Sequence, residues 1–116
     1  MGFPAPDGAE RTAAASKRRA MLVNAVVYTF PVDKMEEAAR LLAAFRQATL
    51  REEGCLGYEV VRGENDHHGT VLLLEKWRDQ AALDAHTGEE HFERLCVNGY
   101  RLIAASRQQI KGTLLE

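Results

Sequence analysis

Thr70-Val71-Leu72-Leu73-Leu74-Glu75-Lys76-Trp77 is the stretch on which the fold turns. It is β-branched and aliphatic, and polar turn residues stand before it and Arg78-Asp79 after it, so it reads as a strand. Side chains alternate across a strand. Val71, Leu73, Glu75 and Trp77 therefore share one face, and Leu72, Leu74 and Lys76 the other. Both faces are apolar over most of their length, so a sheet built on this strand must be covered on both sides.

Working outward, Gly63-Glu64-Asn65-Asp66-His67-His68-Gly69 is a polar turn, and Leu56–Arg62 before it is a second strand. Leu22–Phe30, bounded by Pro31, is another. Between these two lies a helix. Asp33 can cap it, with Glu36 reaching back, and Met35, Ala38, Leu42, Phe45 and Thr49 repeat at helical spacing to form one apolar stripe. Gly54 is placed to end it. After Trp77, Asp79 can cap a short helix running through His86, Gly88 breaks it, and a second helix runs from about Glu89 to Ala104. Residues 106–115 suit a last strand. The order β-α-β-β-α-β is the ferredoxin-like split βαβ arrangement, an α+β fold with a four-stranded antiparallel sheet.

Two helices cover only one side of such a sheet. The first strand raises the same demand, with Leu22, Asn24, Val26, Tyr28 and Phe30 on one face and Val23, Ala25, Val27 and Thr29 on the other. A second copy, sheet facing sheet, is the economical cover. The expectation is a homodimer with a dry chamber on the helix-free side, where Leu73 and Trp77 would line it. Asn24 is the odd member of its face, because a buried amide needs partners from protein, water or ligand.

The 116 residues carry 15 Lys and Arg against 17 Asp and Glu, which argues against nucleic acid as the main partner. With 46% hydrophobic and 28% charged residues the chain is an ordinary globular domain. No run approaches the roughly 20 apolar residues of a membrane span. Cys55 and Cys96 lack any CxxC spacing and read as reduced core residues of a cytoplasmic protein. Residues 1–20 carry Pro4, Pro6, an Ala/Ser run and Lys17-Arg18-Arg19. They read as a flexible tail, or as an extension ahead of a start at Met21, with a transit peptide the runner-up. The domain proper is 21–116.

Glu53-Gly54-Cys55-Leu56-Gly57-Tyr58, then Leu74-Glu75-Lys76-Trp77, Ala81-Ala82-Leu83-Asp84-Ala85-His86 and His91-Phe92, taken in that order, resemble the antibiotic biosynthesis monooxygenase (ABM) domain family over about Leu22 to Leu114. The resemblance implies a dimeric α/β barrel of ferredoxin-like halves, in agreement with the face argument. It also implies one of three activities: cofactor-independent oxygenation of quinols or polycyclic phenols, haem degradation, or isomerisation of small sugar phosphates. The haem branch uses an Asn, a Trp and a ligating His. Asn24 matches the first, but His86 and Cys96 stand at the other two positions, so haem degradation is disfavoured.

Oxygenation without metal or flavin needs an electron-rich phenol or quinol, a base to take its proton, and a dry pocket shared with O2. His86 is the first choice for the base, since imidazole titrates near neutral pH and the family carries a pocket-facing His there. Asn24 would orient the ligand. Glu75, among apolar neighbours, would pair with His86, or structurally with Arg62 or Arg78. Trp77 offers a flat wall for a ring; Tyr58, Tyr28, Leu73 and His91 complete the candidate substrate surface. A His86/His91 metal pair is poorly spaced for one helical face, and His67-His68 reads as solvated, so neither metal nor cofactor is expected. The competing readings are a non-catalytic ligand-binding dimer of the same fold and an isomerase. The isomerase needs a cationic pocket, with Arg62, Arg78 or Lys76 pointing inward.

Overall fold

The structure, a computed structural model, describes residues 21–115; the tail reading for residues 1–20 lies outside them. Four strands, β1 (Leu22–Thr29), β2 (Cys55–Arg62), β3 (Thr70–Trp77) and β4 (Ser106–Thr113), form one sheet in the order β2-β3-β1-β4. All three pairings are antiparallel, and β2 carries an irregularity between Cys55 and Gly57. Helix α1 is Met35–Thr49 and α2 is Gln80–Thr87. A helix with π-type bonding, Phe92–Tyr100, kinks at Gly99 and passes into one α-helical turn, Arg101–Ile103; together they are α3. This is the ferredoxin-like α+β fold that the β-α-β-β-α-β order predicts, with the second helix divided in two.

The stripe on α1 works as its spacing requires: Met35, Ala38, Leu42, Phe45 and Thr49 are all buried. Its start differs from expectation. Asp33 makes no side-chain cap; a short 3-10 turn, Val32–Lys34, leads in instead. Glu36 accepts from Arg62 at 2.8 Å rather than reaching back, because β2 brings a guanidinium within its range. The cap on α2 does form, with Asp79 Oδ1 accepting from the Ala82 amide at 2.9 Å. Gly54 does not end α1, which stops at Thr49; a Cβ at Gly54 would collide with Ala82, so this glycine lets α2 lie close to the β2 entry. Gly69, at φ +93°, turns the chain into β3 where few side chains fit.

The helices cover the face that carries Val26, Tyr28, Phe30, Tyr58, Val71, Leu73 and Trp77, and this is the core. The other face presents Val23, Ala25, Val27, Leu72 and Leu74, all half-buried. Leu73 and Trp77 therefore lie under the helices and not on the helix-free side, which corrects the expected position of the chamber. Both faces of β3 are aliphatic, and pattern alone does not say which of them the helices take. Among the described residues, no helix is long and apolar enough to cross a membrane.

Candidate active site

A cavity of about 230 Å³ opens within the single chain, between the helices and the sheet. Every strand gives it a floor residue: Tyr58 from β2, Leu73 and Glu75 from β3, Asn24, Val26 and Tyr28 from β1, and Arg107, Gln109 and Lys111 from β4. α2 and α3 give it His86, Phe92, Tyr100 and Arg101.

Asn24 and Glu75 are direct cross-strand partners, and both are buried. Glu75 Oε1 accepts from Asn24 Nδ2 at 3.2 Å and from Trp77 Nε1 at 2.9 Å. Asn24 Oδ1 in turn accepts from Gln109 Nε2 at 2.6 Å. One chain of hydrogen bonds thus crosses β3, β1 and β4 beneath the cavity. Glu75 pairs with neither His86 nor Arg62 nor Arg78, contrary to both sequence expectations. Its register opposite Asn24 and its position two residues from Trp77 decide this.

The partner of His86 is Glu52, which sequence reasoning missed. Glu52 Oε2 lies 2.7 Å from His86 Nδ1 and 2.8 Å from His91 Nε2. With the carboxylate ionised, both ring nitrogens donate to that one oxygen. The break around Gly88 folds the chain so that the last turn of α2 and the residue before α3 converge on a carboxylate in the α1–β2 turn; helical spacing plays no part. His86 lines the cavity and Glu52 does not, so with Nδ1 held by Glu52 the opposite ring edge faces the cavity. Ligand atoms of Glu52, His86 and His91 all lie within 4.8 Å of one another. Two imidazoles and a carboxylate are a donor set that would suit a borderline divalent ion; here hydrogen bonds satisfy them.

Trp77 does not line the cavity. It is fully buried and its indole packs against the His86 ring, with centroids 4.5 Å apart, so it fixes the imidazole instead of offering a wall. His91 likewise stands behind the wall, on Glu52. Phe45, Tyr58 and Phe92 pack around His86 as well.

Three tyrosines surround the apolar part of the site. Burial pushes the Tyr58 hydroxyl far up from its ordinary value, with the Glu75 charge adding to the effect. Burial also raises Tyr28 and, further, Tyr100. All three remain protonated near neutral pH and serve as hydrogen-bond donors, not bases. The Tyr58 hydroxyl is buried and makes no well-formed hydrogen bond, its one polar neighbour being Tyr100, whereas Tyr28 accepts from Arg101 and Arg107. Burial also raises the Cys96 thiol, which opposes a thiolate ligand for iron there.

The cations expected for an isomerase are turned away. Arg62 is exposed on Glu36, Arg78 is exposed beside Glu53 and Asp79, and Lys76 is exposed on the helix-free face. Arg101, Arg107 and Lys111 line the cavity instead. Arg101 reaches it from the turn that follows a kink in α3. The chain kinks at Gly99 (φ −118°, ψ −109°), and the Arg101 amide beyond the kink donates to the Cys96 carbonyl, an i→i+5 bond.

The fold and the ordered Glu-x-Trp and Ala-x-x-Ala-His segments invite comparison with known proteins. The sequence profile of the antibiotic biosynthesis monooxygenase family matches residues 21–96. The chain belongs to this family. It is 29% identical over 84 residues, 72% of this chain and 87% of the relative, to the Bacillus subtilis (strain 168) protein named "Putative monooxygenase YcnE". Among solved structures, PA3566 from Pseudomonas aeruginosa superposes with a TM-score of 0.76 at 27% identity, covering 85% of this chain and 98% of that one. A conserved protein from Methanosarcina mazei Go1 superposes at 0.79 with 20% identity, covering 87% and 99%, and that likeness speaks for the fold alone. Membership of the ABM family supports a general monooxygenase-like function.

Proposed function

We propose that the protein is a cofactor-independent monooxygenase acting on a small hydroxylated aromatic, a quinol, with O2. The observation that carries this reading is His86: one ring nitrogen is anchored by Glu52 at 2.7 Å, and the ring lines a cavity whose wall around it is aromatic, from Phe45, Phe92 and Tyr58, and whose far end is polar. A base held by a carboxylate, with the Tyr58 hydroxyl as a donor in the same cavity, is what deprotonation of a phenol and retention of the phenolate require.

His86 Nε2 takes the phenolic proton, and Tyr58 donates to the resulting oxyanion. The phenolate passes one electron to O2, and the radical pair joins to form a carbon–oxygen bond. The hydroperoxide then loses water as its O–O bond breaks. One oxygen atom stays on the ring carbon and the other leaves as water, so quinol plus O2 gives hydroxyquinone plus water. Glu52 holds the tautomer that leaves Nε2 free, and Glu75 keeps Asn24 fixed at the floor. At about 230 Å³ the cavity is below the ~300–1,000 Å³ of drug-sized sites, which favours one or two rings over a polycycle.

Two copies pack through their helix-free faces, covering Val23, Ala25, Val27, Leu72 and Leu74. The catalytic cavity lies inside each copy and not between the sheets. The protein works in the cytoplasm, where its two unpaired thiols stay reduced.

The test is oxygen uptake by the chelator-treated protein with 1,4-benzohydroquinone and with 1,4-naphthohydroquinone. The expected result is consumption well above the buffer rate, reduced about 10²- to 10⁴-fold by His86→Ala. Glu52→Gln should lower kcat more than it raises KM and alter the pH profile. No rate above buffer for either substrate would sink the reading.

A further inference from the structure

We propose that the substrate carries an anionic substituent on the ring system, remote from the reacting hydroxyl, and that Arg101, Arg107 and Lys111 receive it. This rests on the cavity being the quinol site, and it assigns a task to the end of the cavity that the chemistry above does not use.

The first argument is the composition of β4. Its cavity-facing positions are Arg107, Gln109 and Lys111, opposite Tyr28, Val26 and Asn24 in the register. Three of the four residues on the inward face of this strand are long and polar, where β1 and β3 present mainly apolar groups. All three are exposed in the single chain and line the open side of the cavity.

The second argument is convergence. Arg107 reaches in from the sheet and Arg101 from α3, and both donate to the Tyr28 hydroxyl oxygen, at 3.3 and 2.9 Å. Two guanidinium groups facing each other across one hydroxyl repel, and an anion between them relieves that repulsion.

The third argument is the lack of an internal counter-charge. Arg46, Arg62, Arg78 and Arg94 each have a glutamate partner, and the described cations elsewhere that have none, Lys34, Arg40, Arg51 and Lys76, are exposed and line no part of the cavity. Among the described residues, no carboxylate lies within salt-bridge distance of Arg101, Arg107 or Lys111; Lys111 instead donates to Gln80 Oε1 at 3.0 Å. Asp84 lines the same cavity but accepts from Gln80, and Glu75 is engaged by Asn24 and Trp77.

The sheet order fixes the polarity of the site. His86 and Tyr58 sit over β3 and β2, and Arg107 and Lys111 come from β4 at the opposite edge, two strands further across. A ligand spanning the floor would place its oxidisable hydroxyl at the first end and its charge at the second. A carboxylate and a sulfonate or phosphate share the required chemistry, and the test separates them.

The experiment is anaerobic calorimetric titration of the whole chain with 1,4-naphthohydroquinone, its 6-carboxylate and its 6-sulfonate. At low salt the anionic probes should bind at least about tenfold more tightly than the neutral one, and the margin should shrink as salt is added. Preference for the carboxylate would indicate a planar anion, and preference for the sulfonate a tetrahedral one. In Arg101→Gln/Arg107→Gln the ratio should fall towards one, and in Arg101→Lys/Arg107→Lys it should largely persist. The proposal is overturned if the wild-type ratio is near one, or if it survives the glutamine pair. The salt titration needs no variant, so a glutamine pair that fails to fold leaves the proposal open to refutation. Parallel oxygen uptake separates the two claims. An anionic probe that binds preferentially but is not oxidised defeats the monooxygenase reading alone; oxidation without preference defeats this one alone.

Discussion

On the helix-covered face of the sheet, Val26, Val71 and Leu73 are sealed together with Asn24 and Glu75, two polar groups that bond to each other. On the helix-free face, Val23, Ala25, Val27, Leu72 and Leu74 are half-exposed, and polar residues such as Thr29, Glu59, Thr70 and Lys76 stand around them. The aliphatic content is similar, yet only the first face pays for buried polar groups. A fold has no need of a bonded amide and carboxylate in its core, since apolar residues of the same volume would serve stability as well or better. Their presence on one face and absence from the other separates a site from a surface that only has to be covered.

Paired substitutions at adjacent residues give the sharpest test of that contrast. Leu73→Ala, on the covered face, should lose about 2–5 kcal/mol of folding stability in denaturant titration, the cost of a core cavity, without altering molar mass. Leu74→Glu, one residue on, should instead convert a dimer to a monomer by light scattering at micromolar concentration. If the unaltered protein is already monomeric, or if Leu74→Glu remains dimeric, the helix-free face is not an interface.

The covered face should also show itself in alkali. Tyr28, Tyr58 and Tyr100 have folded-state pKa values raised by burial, above the unfolded value near 10. Above that pH the unfolded chain binds fewer protons than the native one, so stability falls as pH rises. The contribution of these tyrosines is fully present below about pH 10 and is lost as the pH climbs towards their folded values. Thermal unfolding followed from pH 7 to 11 should therefore be flat with respect to tyrosine ionisation up to about pH 9 and then drop. A midpoint unchanged at pH 11 would mean that the hydroxyls are wetter than the structure has them.

Much of this was legible in the sequence, and the exceptions share a cause. Strand β3 and the α1 stripe rest on local periodicity, and local periodicity predicted them residue by residue. The ordered segments from Glu53 to Phe92 pointed to the ABM family, and the pattern put Asn24, Leu73, Glu75 and Trp77 on consistent parities. Which parity met the helices was not legible, because Leu72 and Leu74 are as apolar as Val71 and Leu73. The partner of His86 was not legible either: Glu52 is 34 residues away, in a turn, and nothing in its neighbourhood marks it. Arg101 escaped notice for another reason. It follows the kink at Gly99, and no residue pattern announces the kink and the i→i+5 bond to Cys96 that bring it to the cavity.

The finest probe of the covered face removes a single oxygen. The Tyr58 hydroxyl is buried without a well-formed hydrogen bond, and such a group costs about 1–3 kcal/mol of desolvation that the neighbouring Tyr100 repays only in part. Tyr58→Phe keeps the ring against Phe45 and His86, so packing is preserved. Stability should then stay level or rise by up to about 1 kcal/mol, the reverse of what a core deletion does. Affinity for a quinol should fall by about tenfold, the loss of one hydrogen bond to the bound oxygen. The two readouts move in opposite directions only if the hydroxyl is kept for a ligand. Were Tyr58→Phe to lose stability and leave quinol binding intact, the hydroxyl would be a structural group satisfied by water, and the covered face would differ from the other in burial alone.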